Sequence, residues 1–230
     1  IQMGIEYDSD EALALGETIM RTIAEIARDV SLDLAKERGH YPAWQPASPD
    51  EPPIRNATRT CIAPTGTISA IAGASSGIEP IFALAFVKNV LDGKQLREVN
   101  EHFLRISHER GFHSDELMDQ VARTGSCQDI EKVPNDVKRL FRTAMEIDYR
   151  AHVKMQAVFQ AQTDLAVSKT INMRNDATTK DIANAYWMAH EPWIVPQPFT
   201  PEAGEMYSKE DIDLWIDVIT QISKEAYQNP

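Results

Sequence analysis

Near the start of the chain, Leu15, Ile19, Ile23, Ile26, Val30 and Leu34 recur every three or four residues, a spacing that lines up one face of an α-helix. Asp8 with Glu11 three residues later predicts a capping box at its start, and Gly39 predicts its stop. The periodicity then breaks. "HYPAWQPASPDEPPIRNAT", residues 40–58, is loaded with proline and short polar side chains and predicts an irregular connection. "TRTCIA", 58–63, predicts a short strand. "IFALAFVKNV", 81–90, reads as a buried strand, although on periodicity alone the run fits a helix as well.

The second half is predicted to be mainly helical. "GKQLREVNEHFLRISHERG", 93–111, places Leu96, Val99, Phe103 and Ile106 on one helical face and ends at Gly111. "SDELMDQVA" opens on a Ser114 cap, and "PNDVKRLF" has Pro134 at its first turn. "YRAHVKMQAVFQAQT" spaces Ala151, Met155 and Val158 helically; "LAVSKTIN" predicts a short strand; "ATTKDIANAYWMAH" predicts a helix capped by Thr178 or Thr179. Beyond it, Pro192, Pro196, Pro198 and Pro201 predict a stiff extended linker. Ser208 then caps an amphipathic stretch with Ile212, Trp215, Ile219 and Ile222 on one face.

Composition narrows the partners. At 230 residues, 43% hydrophobic and 25% charged, the chain can bury a substantial core. Its formal net charge of −12 speaks against nucleic-acid polymers and anionic membranes, which call for a basic footprint. A small anion held by a local set of donors is compatible with that charge. Two cysteines, Cys61 and Cys127, form no CxxC pair and no disulfide framework, so a reducing, cytoplasmic setting is expected. No apolar run approaches the ~18–20 residues of a membrane span.

The chemistry is concentrated in "CIAPTGTISAIAGASSGIEP", residues 61–80. Pro64 ends a strand because proline cannot donate to a ladder, and "TISAIAG" can start a helix. Gly66 allows close approach to the backbone and can adopt positive φ. Thr65, Thr67 and Ser69 add hydroxyls around N–H groups at a helix start, which carries partial positive charge and suits phosphate. A plain N-cap with small residues for close packing fits the same string. It is neither a Walker P-loop, lacking the GK[ST] ending, nor a dinucleotide fingerprint.

The longer string "RNATRTCIAPTGTISAIAGASSGIEPIFALAFVKNVL" resembles the adenosylcobalamin-dependent (class II) ribonucleotide reductases. The likeness continues through "LREVNEHF", "ERGFHSDELM", "VPNDVKRLF", "HVKMQAVFQAQTDLAVSKTIN" and "NDATTKDIANAYWMAHE", and reaches back to "YDSDEALALGETIM". It runs from about Ile5 to Glu191. The resemblance implies an α/β, helix-rich fold: the C-terminal half of a ten-stranded α/β barrel built around a finger loop. It implies that Pro64, Thr65, Gly66, Thr67, Ile68 and Ser69 hold the substrate diphosphate. It also implies reduction of ribonucleotides by a thiyl radical generated with adenosylcobalamin. The family's radical cysteine lies in an Asn-Pro-Cys-Gly-Glu loop, and no such string occurs here. The chain is therefore read as a fragment, residues 1–191, with a tail, 192–230, that departs from the family. A full cobalamin site is not expected in it. The expected partners are a ribonucleoside diphosphate and the remaining part of the barrel. The competing reading is a non-catalytic helical binding or packing module with a foreign tail.

Other residues carry weaker expectations. Cys61 is expected to be a small buried hydrophobe and Cys127 a plain surface thiol. His102, His108 and His113 lack the i,i+4 spacing of a helical metal pair and are read as solvated. Glu79 either hydrogen-bonds a backbone amide or positions a ligand. Lys169 and Asn172, closing a strand-like run, are candidates to face the barrel mouth.

Overall fold

A computed structural model describes residues 1–89, 95–190 and 221. The chain opens with α1 (Asp10–Arg38) and α2 (Gly66–Ala72), then the strands β1 (Ala85–Asn89) and β2 (Gln95–Val99). It continues with α3 (Glu101–Glu109), α4 (Asp115–Thr124), α5 (Asn135–Leu140), α6 (Tyr149–Gln160) and α7 (Thr179–His190). The expected helix over 208–222 and the proline-rich linker lie outside the described residues, apart from Gln221.

The helix ends follow local chemistry. Ser9, one residue later than expected, caps α1 by accepting from Ala12 N, because the Asp8 carboxylate pairs with Arg142 instead. Gly39 closes α1 at φ 75°. Ser114 caps α4, with Leu117 N donating to its hydroxyl at 3.2 Å. Thr178 caps α7 reciprocally: Asp181 N donates to its Oγ1, and Thr178 N donates to the Asp181 carboxylate at 2.9 Å.

One expected element is divided. Residues 95–99, predicted as the start of a long helix, form β2, paired antiparallel with β1 from Ala85↔Val99 to Asn89↔Gln95. The helix begins only after Asn100, whose side chain accepts from His102 N and Phe103 N. The period that placed Val99 with Phe103 and Ile106 was thus crossed by a cap, and strand pairing claimed everything before it.

Phe103, Leu117, Val121, Val133, Val137 and Phe141 bury themselves with Leu84 into one cluster. Phe141 meets Phe103 edge-on, at 5.3 Å and 81°. A second layer stacks α1 on α6 and α6 on α7. Here α1 does not use its most apolar stripe. Gly16, Met20, Ser31 and Ala35 are its buried residues, whereas Ile19, Ile23, Ile26 and Val30 stay 44–59% exposed. The small residues let the helices approach: a Cβ on Gly16 would lie 2.8 Å from Phe159 Cε2. Ser31 also anchors the irregular connection, its hydroxyl accepting from Asn56 N and its carbonyl from Arg55 N.

Among the described residues, regular sheet amounts to the β1–β2 ribbon plus a parallel bridge between Ile62 and Val167. "TRTCIA" and "LAVSKTIN" thus meet as one rung rather than as full strands, and half of a ten-stranded barrel is not drawn out as strands. No described helix is long and apolar enough to cross a membrane.

Candidate functional site

The site stands on residues 164–170. Ile62 N donates to Ala166 O (3.2 Å), and Ser168 N donates back to Ile62 O (2.8 Å). Just upstream, Arg59 grips Asp164 with Nε and Nη2 at 2.9 and 2.7 Å, and its own backbone N–H donates to the same carboxylate. That guanidinium holds the Asp164 carboxyl below the usual range. On the far side α6 supplies side chains in place of a neighbouring strand. Gln160 donates to Leu165 O (2.8 Å) and accepts from Val167 N (3.1 Å), and Gln156 donates to Val167 O (3.2 Å). Val167 is buried and short of strand partners, so its N–H and C=O must be satisfied elsewhere, and Gln160 and Gln156 do it.

From this platform the chain turns at Pro64 into α2. Positive φ falls on Thr65 (φ 48°, ψ 23°), not on Gly66 as expected. A β-branched residue in that region is an outlier that its surroundings must hold in place. Gly77 N donates to Thr65 Oγ1 at 3.1 Å, and Ser76 Oγ donates to Pro64 O. With its hydroxyl turned to Gly77, Thr65 makes no side-chain cap to α2. The first-turn N–H groups at Gly66, Thr67 and Ile68 therefore face a surface without that hydroxyl over them. Gly66, Thr67 and Ile68 are all exposed, and a Cβ on Gly66 would meet nothing within 4 Å. Ser69 departs from its expected role: it is buried, and its hydroxyl donates inward to Gly66 O at 3.0 Å.

Behind the turn lies a buried charge cluster. Lys169 Nζ, on a fully buried side chain, is 2.5 Å from Glu79 Oε2, 2.8 Å from His152 Nδ1 and 2.6 Å from Thr170 O. Glu79 Oε1 accepts from Thr170 N at 2.6 Å. Tyr7 donates to Ile78 O at 2.7 Å, and its ring sits 6.1 Å from that of His152. Burial, then the Lys169 charge, push the imidazole down to about 4. Burial lowers Lys169 against the opposing pull of Glu79, and raises the Tyr7 phenol, with Glu79 adding to it. Glu79 and Lys169, singled out separately in the sequence, are thus one unit. Asn172 lies half-buried beyond it. His152 and Tyr7 escaped the sequence reading, since a histidine on a helix and a tyrosine before one carry no spacing signal of their own.

Both cysteine expectations are reversed. Cys61 is exposed and Cys127 fully buried in the main cluster, where burial and Glu146 push its thiol up to about 12. A single rung of sheet leaves Cys61 with no layer over it, while the turn after α4 folds Cys127 inward. The rings of His108 and His113 stack at 3.7 Å, and no metal-holding group of three or more His, Cys, Asp or Glu occurs among the described residues.

Residues 1–52 and 50–192 match the family described as "Ribonucleotide reductase, barrel domain". This chain belongs to that family. Among ribonucleotide reductases it is 53% identical over 193 residues to the "Vitamin B12-dependent ribonucleoside-diphosphate reductase" of Thermoplasma acidophilum, covering 83% of this chain and 25% of that protein. To the protein of the same name from Mycobacterium tuberculosis (strain CDC 1551 / Oshkosh) it is 40% identical over 210 residues, covering 90% and 30%. The chain thus spans between a quarter and a third of the length of these reductases. Its fold is similar to that of the "Actinobacillus ureae class Id ribonucleotide reductase alpha subunit", with a TM-score of 0.68 at 24% identity over 84% of this chain and 34% of the other.

Proposed function

We propose that this chain is the substrate-diphosphate segment of an adenosylcobalamin-dependent ribonucleoside-diphosphate reductase, and that Pro64 to Ser69 form the cradle. The observation that carries the reading is the exposed start of α2, left without a side-chain cap because Thr65 spends its hydroxyl on Gly77. The N–H groups of Gly66, Thr67 and Ile68 belong to its first turn, Thr67 adds a hydroxyl, and the partial positive charge of a helix start favours a diphosphate. Ser69 contributes by pinning Gly66 O, so it shapes the turn rather than touching the ligand. The match of the relatives, named as vitamin B12-dependent reductases, supports the class.

The radical step belongs to other parts of such a reductase. Adenosylcobalamin, when bound there, supplies the radical. The described residues do not fit that chemistry: the Cys127 thiol is buried and held protonated, and Cys61 stands exposed beside no paired thiol. This chain would bind and orient the diphosphate end of the substrate, with the remaining barrel as its partner. Residues 1–191 form the reductase segment in this reading and 192–230 a tail. The family match that ends at residue 192 supports that boundary, while the alignment to the Mycobacterium tuberculosis protein covers 90% of the chain and so runs into the tail.

Gly66→Val tests the cradle. The site has room for the side chain and no positive φ to oppose it, so the variant should fold. Its isopropyl group would stand where the ligand approaches. Each lost charge-assisted hydrogen bond is worth about 1.5–3 kcal/mol, so losing two costs at least ~100-fold in affinity. Calorimetric titration with a ribonucleoside diphosphate reads this out, and unchanged affinity in a natively folded variant would rule the cradle out.

A further inference from the structure

The Lys169 ammonium has three protons, and three acceptors surround it: Glu79 Oε2, His152 Nδ1 and Thr170 O. His152 Nε2 lies 3.1 Å from Ala144 O, which can only accept. The ring proton therefore sits on Nε2, and Nδ1 offers its lone pair to the ammonium. Glu79 uses one oxygen on Lys169 and the other on Thr170 N. Lysine charged, histidine neutral and glutamate ionised is the assignment that gives every one of these contacts a donor and an acceptor. Burial of a charge demands such complete satisfaction.

The connectivity gives the cluster its meaning. The turn enters through Ile62, which is bonded to Ala166 and Ser168. It returns through residues 76–79, and Glu79 fastens that return to Lys169 and Thr170. Both feet of the turn therefore stand on the same short segment, 166–170. Between them, Ser76 and Gly77 reach back to Pro64 and Thr65 and hold the left-handed backbone from which α2 starts. Tyr7 steadies Ile78 from the opposite side.

Resting on the reading of residues 64–69 as the diphosphate cradle, we propose that Lys169 is a positioning residue for it. By fixing Glu79, it sets where Ser76 and Gly77 stand, and so where the first N–H groups of α2 point. Lys169 itself touches no ligand. A buried ion pair is a poor way to gain stability, since apolar replacement of both partners is often neutral or better. Its use here is to define one position for a turn that carries a strained residue.

The test uses the full 230-residue chain, with CDP and inorganic pyrophosphate as probes. Three variants are compared: Lys169→Met, the double variant Lys169→Met with Glu79→Leu, and Gly66→Val. Lys169→Met leaves the half-buried Glu79 carboxylate with Thr170 N but without its counter-charge, and should lose stability. The double variant removes both charges and should regain it. Misplacing the donors by about an ångström should weaken both probes roughly 10–100-fold in the single and the double variant alike. Amide exchange at Gly77, whose N–H is held by Thr65 Oγ1, should accelerate in both. Recovery of affinity along with stability in the double variant would show that the pair merely holds the fold, and would overturn the proposal. Unchanged protection of Gly77 would overturn it as well, and this readout needs no ligand. Equal binding of CDP by the native chain and Gly66→Val, or no binding by either, would sink the cradle and with it the role of Lys169 there, leaving Lys169 only its hold on the turn, which the Gly77 readout tests separately.

Discussion

Lowering the pH from 7 to 4 should strip this chain of stability through one residue, His152. Its ring is fully buried, donates to Ala144 O and accepts from Lys169. A proton on Nδ1 would face the ammonium directly. Burial first, and then Lys169, opposes protonation; the Ala144 and Thr170 backbone and, more weakly, Asp148 favour it, and Glu79 and Tyr7 flank the same space. The folded ring titrates at about 4, against 6.5 when free. In the unfolded chain the proton binds first as pH falls, so the contribution is whole above 6.5 and fades between 6.5 and 4. A displacement of that size corresponds to about 3 kcal/mol, a large share of an ordinary domain's stability. The assay is urea unfolding at half-unit pH steps, on the native chain and on His152→Gln, whose amide can still donate to Ala144 O. Across this window the native curve should lose stability with a slope of up to ~1.4 kcal/mol per pH unit beyond that of the variant. Parallel curves would refute the neutral, lysine-bound histidine.

Two further outcomes follow from the packing and from the missing chemistry. Gly16→Ala should cost about 1–3 kcal/mol, because the new methyl meets Phe159 at 2.8 Å and the α1–α6 contact must open; a melting temperature at or above the native value would show that the Phe159 ring simply moves aside. The chain alone, given adenosylcobalamin, a reductant and a ribonucleoside diphosphate, should form no deoxyribonucleotide, and chromatographic detection of cobalamin-dependent product would show that Cys61 or Cys127 suffices.

The local rules of the chain fixed much of its outline. Ser114, Gly39 and Thr178 end helices where they stand because a cap needs only neighbours in sequence. The family could be read from the order of its motifs alone, as could the turn at 64–69. What the sequence could not decide were matters of partnership. Residues 95–99 carry a helical pattern and yet pair with 85–89, because a strand partner outbids a period. The apolar stripe of α1 was plain, but whether it is covered depends on which face α6 meets, and α6 meets the small residues. Cys61 and Cys127 exchanged their expected places for the same reason: burial is set by what packs above a residue, not by its neighbours along the chain. Glu79 and Lys169 lie far apart in sequence, and only folding could bring them within 2.5 Å. Left-handed backbone at Thr65 is likewise a tertiary decision, since local preference assigns it to Gly66 and only the grip of Ser76 and Gly77 moves it one residue earlier.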